Sequence, residues 1–431
     1  MSCAICSLRV AVANIRHRRT PSVVQKRISQ GFAADKGLSH WVGDIMSLRT
    51  LAAIVAAIIL AGSAGLEAAR AAEPPSLVWE RHPGSASYDT VTAVATDRTG
   101  AVVVAGETGG SMARANAGLA DIFVLKYSST GTLLWRRQLG TTRNDTPSAV
   151  AVDSANNIVV VGSTGAGLAG PSHGGDDLFV IKYNAEGVPL WKSQTGSPSD
   201  DHPGDVAVDA AGNIFFASHL LLLKYRPDGS EAWRRPAPSS PDQVSWNGVA
   251  LRPNGSLIVI GSAFKSAVNS NLVLAAYSPQ GAVQWIRQTA IATVESPAHV
   301  AINGAGRIFG VGLEQGEDPA TRHIFLRAFS SSGTALWKRL FGSSDSDDGA
   351  GLTIDAAGNA VITLQYDADP VAKSYSPSGA LQWTLPLPRP SGRILNPAID
   401  TSGNLFIAGA INTPSVRWLD GYLARYAYPS R

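Results

Sequence analysis

Seven imperfect copies of one unit follow one another along this chain, and that repetition limits the fold more than any other feature. One copy starts at Ser148-Ala-Val-Ala-Val-Asp153 and turns through Asn157 into the run Ile158–Val161. It continues with Asp177-Leu-Phe-Val-Ile-Lys182-Tyr183 and closes on Gly187-Val-Pro-Leu-Trp191. The turn residue recurs as Asp97, Asp153, Asp209, Arg252, Asn303, Asp355 and Asp400, at intervals of 43 to 56 residues. A third segment ends on Tyr127, Tyr183, Tyr225, Tyr277, Phe329, Tyr375 or Tyr426, and a fourth carries Trp135, Trp191, Trp233, Trp285, Trp337 or Trp383. Runs of β-formers broken by Gly, Asn and Asp turns make antiparallel sheets. Four strands per unit, repeated, define the blades of a propeller.

The count predicts how the ring closes. The seventh unit reaches Tyr426 with five residues left and has no fourth strand, whereas Ser76-Leu-Val-Trp79-Glu near the start has the form of an orphan fourth strand. Joining the two completes seven blades and hides an edge that would otherwise invite aggregation. The expected fold is therefore all-β, a seven-bladed propeller of four antiparallel strands per blade, its last blade closed by the N-terminal strand of the mature chain. Two residues before each turn stand Ala95, Ala151, Ala207, Ala250, Ala301, Thr353 and Ala398, small enough for a crowded hub.

These units resemble the SBBP repeats of bacterial exported proteins, whose pattern runs A-V-D-x-x-G-N, then D-x-F-V-x-K-aromatic, then G-x-x-x-W. The likeness covers residues 76–429 and departs from the pattern at Arg252, Ala276 and Phe329. It implies a propeller and carries no catalytic residues. Thr130-Gly-Thr-Leu-Leu-Trp135 is also similar to the tryptophan turns of quinone-cofactor propellers, where the indoles dock blades together. Those have eight blades and often adjacent cysteines, and this chain matches neither feature.

A leader is expected ahead of the ring. The run Leu51–Ala61 is apolar and uncharged, Arg49 precedes it, and Ala69-Arg70-Ala71 offers a small-residue cleavage site. Residues 46–71 therefore read as a signal peptide, residues 1–45 as a mis-called extension before a true start at Met46, and residues 72–431 as one propeller domain. The destination is export, periplasmic or extracellular, with no membrane span after cleavage. Cys3 and Cys6, the only cysteines, fall in the extension, so the mature domain has no disulfide to rely on. Residues 1–71 hold nine Lys/Arg and three Asp/Glu, and the rest hold 27 and 30. The mature domain is thus slightly acidic, which excludes a globally basic nucleic-acid binder.

Candidate site residues gather where inner strands begin. Eight residues before each turn stand Asp89, Asp145, Asp201, Val244, Glu295, Asp347 and Gly392. Five acidic side chains at one equivalent place would form a partial carboxylate ring at the channel mouth. The alternative, favoured because it repeats, is that each carboxylate accepts backbone N–H groups and staples blade to blade. His202, Asp205 and His299 add groups near the same mouth that could move a proton. Trp246 and Trp418 lie off the repeat positions and are the candidate stacking platforms for a carbohydrate. No cofactor is expected; calcium would have only Asp345-Ser-Asp347-Asp348-Gly349, which lacks the distal Glu of a calcium loop. Long connections between second and third strands are expected at 108–120, 164–176, 313–322 and 410–420.

The expected function is a monomeric binding or interaction scaffold for an unidentified protein or carbohydrate, not an enzyme. The alternative is a hydrolase, lyase or quinone-type oxidoreductase working at the channel mouth.

Overall fold

The structure, a computed structural model, describes residues 72–239, 242–266, 269–289, 294–315, 322–342, 348–366, 369–388, 394–412 and 419–429. Residues 1–71 with both cysteines, Asp347 and Trp418 lie outside these residues. Among the described residues no helix is long and apolar enough to cross a membrane.

Seven four-stranded antiparallel sheets follow one another, six of them built from consecutive strands. In blade one these are the inner strand Asp89–Thr96, the second Val102–Thr108, the third Asp121–Tyr127 and the outer Leu133–Leu139. Blade seven departs from that order. Its inner, second and third strands are Ile394–Ile399, Leu405–Asn412 and Leu419–Ala427, and its outer strand is Ser76–Arg81. The pairing sets Ser76 against Ala427, Trp79 against Arg425 and Glu80 against Ala424. The N-terminal strand is therefore the clasp of the ring.

Second and third strands are buried on both faces, as in the unbroken burial of Asp121–Tyr127 and Asp177–Tyr183. Their apolar runs do not alternate because each sheet is covered by a blade on either side. The core accordingly lies between blades. Val103, Ile122 and Val124 of blade one meet Val150, Val160 and Phe179 of blade two, and Val102, Val104 and Phe123 meet Phe406 and Leu423 of blade seven.

Two repeated polar devices bind the blades. The first uses the outer strand. Trp135 Nε1 donates to Ala185 O at 3.0 Å and Arg137 Nε to Gly187 O at 2.6 Å, both in the turn of the next blade. Gly187 has φ +74°, and a Cβ there would lie 2.8 Å from the Trp135 ring, so glycine is required twice over. The same clasp runs from Trp79 to Ser129 O (3.0 Å) and from Arg81 to Gly131 O (2.8 Å), which carries it across the seam of the ring.

The second device joins the turn Asp to the Lys of the third strand. Lys126 Nζ lies 2.8 Å from Asp97 Oδ2, and Lys182 Nζ 2.9 Å from Asp153 Oδ2, all four side chains buried. Burial alone would raise these two carboxyls. Hydrogen bonds outweigh it, from Lys126 and Thr99 to Asp97 and from Asn157 and Lys182 to Asp153, and hold both below the usual carboxylate range. Where the Asp is lost, so is the Lys: blade four pairs Arg252 with Ala276, and blade five Asn303 with Ala328. A buried charge left without its partner is costly; blade six keeps Asp355 with Ser374 at the Lys position, and there Asn359 donates to the carboxylate instead.

Candidate functional site

Inner strands begin, and second strands end, on one face of the ring, and the acidic series lies just beneath it. Asp89, Asp145 and Glu295 are fully buried, so they form no open carboxylate ring. Each Asp carboxylate accepts from the backbone four residues earlier: Ser85 N to Asp89 at 2.5 Å, Thr141 N to Asp145 at 2.6 Å and Ser197 N to Asp201 at 2.6 Å. The amide of Asp145 in turn donates to Ala120 O (2.9 Å), and that of Asp201 to Asp176 O (2.7 Å), tying each inner strand to the preceding blade. Burial raises the carboxyls of Asp89 and Asp145 above their usual range, opposed by the Thr108 and Thr164 hydroxyls respectively. Glu295 takes Leu272 N at 3.1 Å and pairs with Arg327 at 2.5 Å.

A further device escaped the sequence reading. Asp121 and Asp177 open the third strands of blades one and two and are fully buried. Gln138 Nε2 donates to Asp121 (2.9 Å) and Gln194 Nε2 to Asp177 (2.7 Å). The amide oxygen of Gln138 accepts Met112 N and Ala113 N, and that of Gln194 accepts Leu168 N and Ala169 N. The long connections of blades one and two are thereby pinned in place. Its signal was legible in these two blades as a Gln three residues after the repeat Trp, together with an Asp six residues before the third-strand Tyr.

Blade three has neither residue: Leu221 opens its third strand and Pro236 stands in place of the Gln. Its connection from Ser218 to Leu221 is correspondingly short. Above it opens a pocket of about 290 Å3, bounded by Asp200, Asp201, His202, His219, Ser245 and Phe264 among others. The His202 and His219 rings sit 4.7 Å apart, centre to centre. Burial, followed by the neighbouring His202, lowers the His219 pKa, so this pair is neutral at pH 7 at His219. Phe264, 45% exposed, and Leu220, 50% exposed, supply an apolar wall.

His299 and Asp205 instead line a cavity of about 120 Å3 in the axial channel. His299 Nδ1 lies 3.9 Å from Asp205 Oδ2. Trp246 offers no stacking platform: it is wholly buried and meets Tyr277 edge-on at 6.2 Å, because its strand position faces the core between blades. The connections at 313–322 and 410–420 are shorter than expected, since the flanking strands run on to Gln315 and Asn412. Among the described residues no three His, Cys, Asp or Glu side chains are grouped to hold a metal. The calcium-like stretch falls in part outside them.

Fold and hub together define a seven-bladed β-propeller. The model of the SBBP β-propeller repeat matches residues 134–168, from the outer strand of blade one into blade two. The regulatory protein FlaEY of Caulobacter vibrioides is 33% identical over 107 residues, 23% of this chain and 11% of that protein. Virginiamycin B lyase from Staphylococcus aureus superposes with a TM-score of 0.51 at 11% identity, over 80% of this chain and 98% of its own. An ulvan lyase superposes with a TM-score of 0.51 at 10% identity, over 81% and 96%. At such identities the two lyases share the fold alone. The chain spans 11% and 24% of the length of the curated relatives it matches.

Proposed function

We propose that this propeller is a binding scaffold whose ligand, a protein segment or a carbohydrate, seats in the pocket over blade three. One observation carries the reading. The polar side chains that recur from blade to blade are consumed in holding the ring together, whereas those around this pocket, Asp201 apart, stand at places where the repeat breaks. An apolar wall at Phe264 and Leu220 facing His202, Asp200 and Gln243 suits a ligand with one apolar and one hydroxyl- or amide-bearing side. Export to the periplasm or beyond, and action as a monomer, belong to the same proposal.

Screening the purified protein by thermal shift and calorimetry against oligosaccharide and peptide libraries tests it. Phe264→Ala and His202→Ala should each weaken a hit about tenfold or more, the loss expected for about 1.4 kcal/mol, and leave the melting temperature of the free protein unchanged. Hits indifferent to both substitutions would place the ligand elsewhere.

The second reading is an enzyme at the channel mouth, favoured by the approach of His299 to Asp205. Turnover of chromogenic esters or lactones that vanishes in His202→Ala and His299→Ala would establish it.

A further inference from the structure

Four residues before each turn, the seven inner strands present Ala93, Ala149, Asp205, Gly248, His299, Gly351 and Asn396 to the hub. Four of these are Ala or Gly, and the three polar ones belong to blades three, five and seven. All three line the same axial cavity of about 120 Å3, together with Val94, Ser148, Val150, Leu352 and Pro397.

Their hydrogen bonding is half complete. Asp205 Oδ1 accepts Val206 N at 2.8 Å, which leaves Oδ2 toward the cavity. Asn396 Nδ2 donates to Thr92 O at 2.6 Å, which fixes the amide and leaves its oxygen as the unengaged end. His299 Nδ1 stands 3.9 Å from Asp205 Oδ2, too long for a direct hydrogen bond. A carboxylate, an amide and an imidazole, from three different blades, thus line one cavity and can each offer an acceptor to it.

We infer that this cavity binds a primary ammonium group, as carried by a small alkylamine or a lysine side chain entering along the axis. Such a group has three donors and no acceptor, which matches three acceptors and a net charge of −1 from Asp205. A quaternary ammonium, equally charged, has nothing to donate and lacks this complementarity. The site is separate from the blade-three pocket and stands whether or not that pocket binds.

The test is calorimetry and thermal shift on the whole protein at pH 7.5 with methylammonium, ethylammonium and tetramethylammonium chloride at matched ionic strength, and with magnesium, calcium and zinc. Saturable binding of the two primary amines is expected, with tetramethylammonium at least tenfold weaker. Asp205→Asn and, independently, Asn396→Ala should each cut amine affinity fivefold or more, and His202→Ala should not. The Asn396 variant, uncharged before and after, keeps the test decisive if Asp205→Asn unfolds. Equal response to tetramethylammonium, amine binding indifferent to both variants, or saturable metal binding without amine binding would each overturn the inference.

Discussion

Removing residues 72–82 should leave a protein that aggregates on expression or melts far below the intact chain. The loss takes the outer strand of blade seven with its pairing to Leu419–Ala427, and it exposes a strand edge along that sheet. It also removes the clasp on blade one, namely Trp79 on Ser129 O, Arg81 on Gly131 O and the edge contact of Trp79 with Phe406 at 5.9 Å. A milder version isolates the clasp. Trp79→Ala keeps the strand and should cost about 3 kcal/mol, the low end for truncating a large aromatic, since the indole is only half-buried. Solubility and scanning calorimetry of both variants check this. Deletion without effect would mean that the strand does not close the ring.

The second large effect is expected at Lys126. Lys126→Met leaves the Asp97 carboxylate buried beside an uncharged chain and should cost about 3–5 kcal/mol at pH 7. Asp97→Asn in the same chain should recover much of that loss, because the stranded charge is gone. The pH dependence has a definite sign. Asp97 titrates below the usual carboxylate range in the folded protein, so its contribution is fully present above the unfolded carboxyl pKa, about 3.9. It is lost as pH falls through the lower, folded value. The gap between the native chain and Lys126→Met should therefore be widest at neutral pH and shrink below about pH 4. Urea unfolding from pH 3 to 7 measures it, and a gap that does not change with pH would show that the pair carries no such charge coupling.

Much of the fold was legible in the chain because a repeat displays its own register. The turn Asp, the third-strand aromatic and the outer Trp each fall at their place in the sheets, and the orphan strand at Trp79 was readable from the missing fourth strand of unit seven. The site was less legible for two physical reasons. Periodicity says where a residue stands in a blade, but not how deep it is. Asp89 and Asp145 were placed under the correct face, yet whether their carboxylates opened to the channel or turned into the loop four residues back depended on backbone geometry. Trp246 failed in the same way: one position along a strand separates a rim from a core. The pocket over blade three, conversely, arises from what is absent, a shortened connection together with Leu221 and Pro236 where blades one and two have Asp and Gln. Absences are visible only once the function of the missing pair is known.

Residues 72–431 contain no cysteine, and that makes the seam directly measurable. In the full chain with Cys3 and Cys6 changed to serine, Ser76→Cys and Ala427→Cys place two thiols on directly paired residues, within the Cα separation of about 4.4–6.8 Å that a disulfide spans. Mild oxidation should give a monomer crosslinked within itself, seen as a mobility shift on non-reducing gels and reversed by reductant. Free thiols, or crosslinks found only between chains, would contradict a ring fastened by its own first strand.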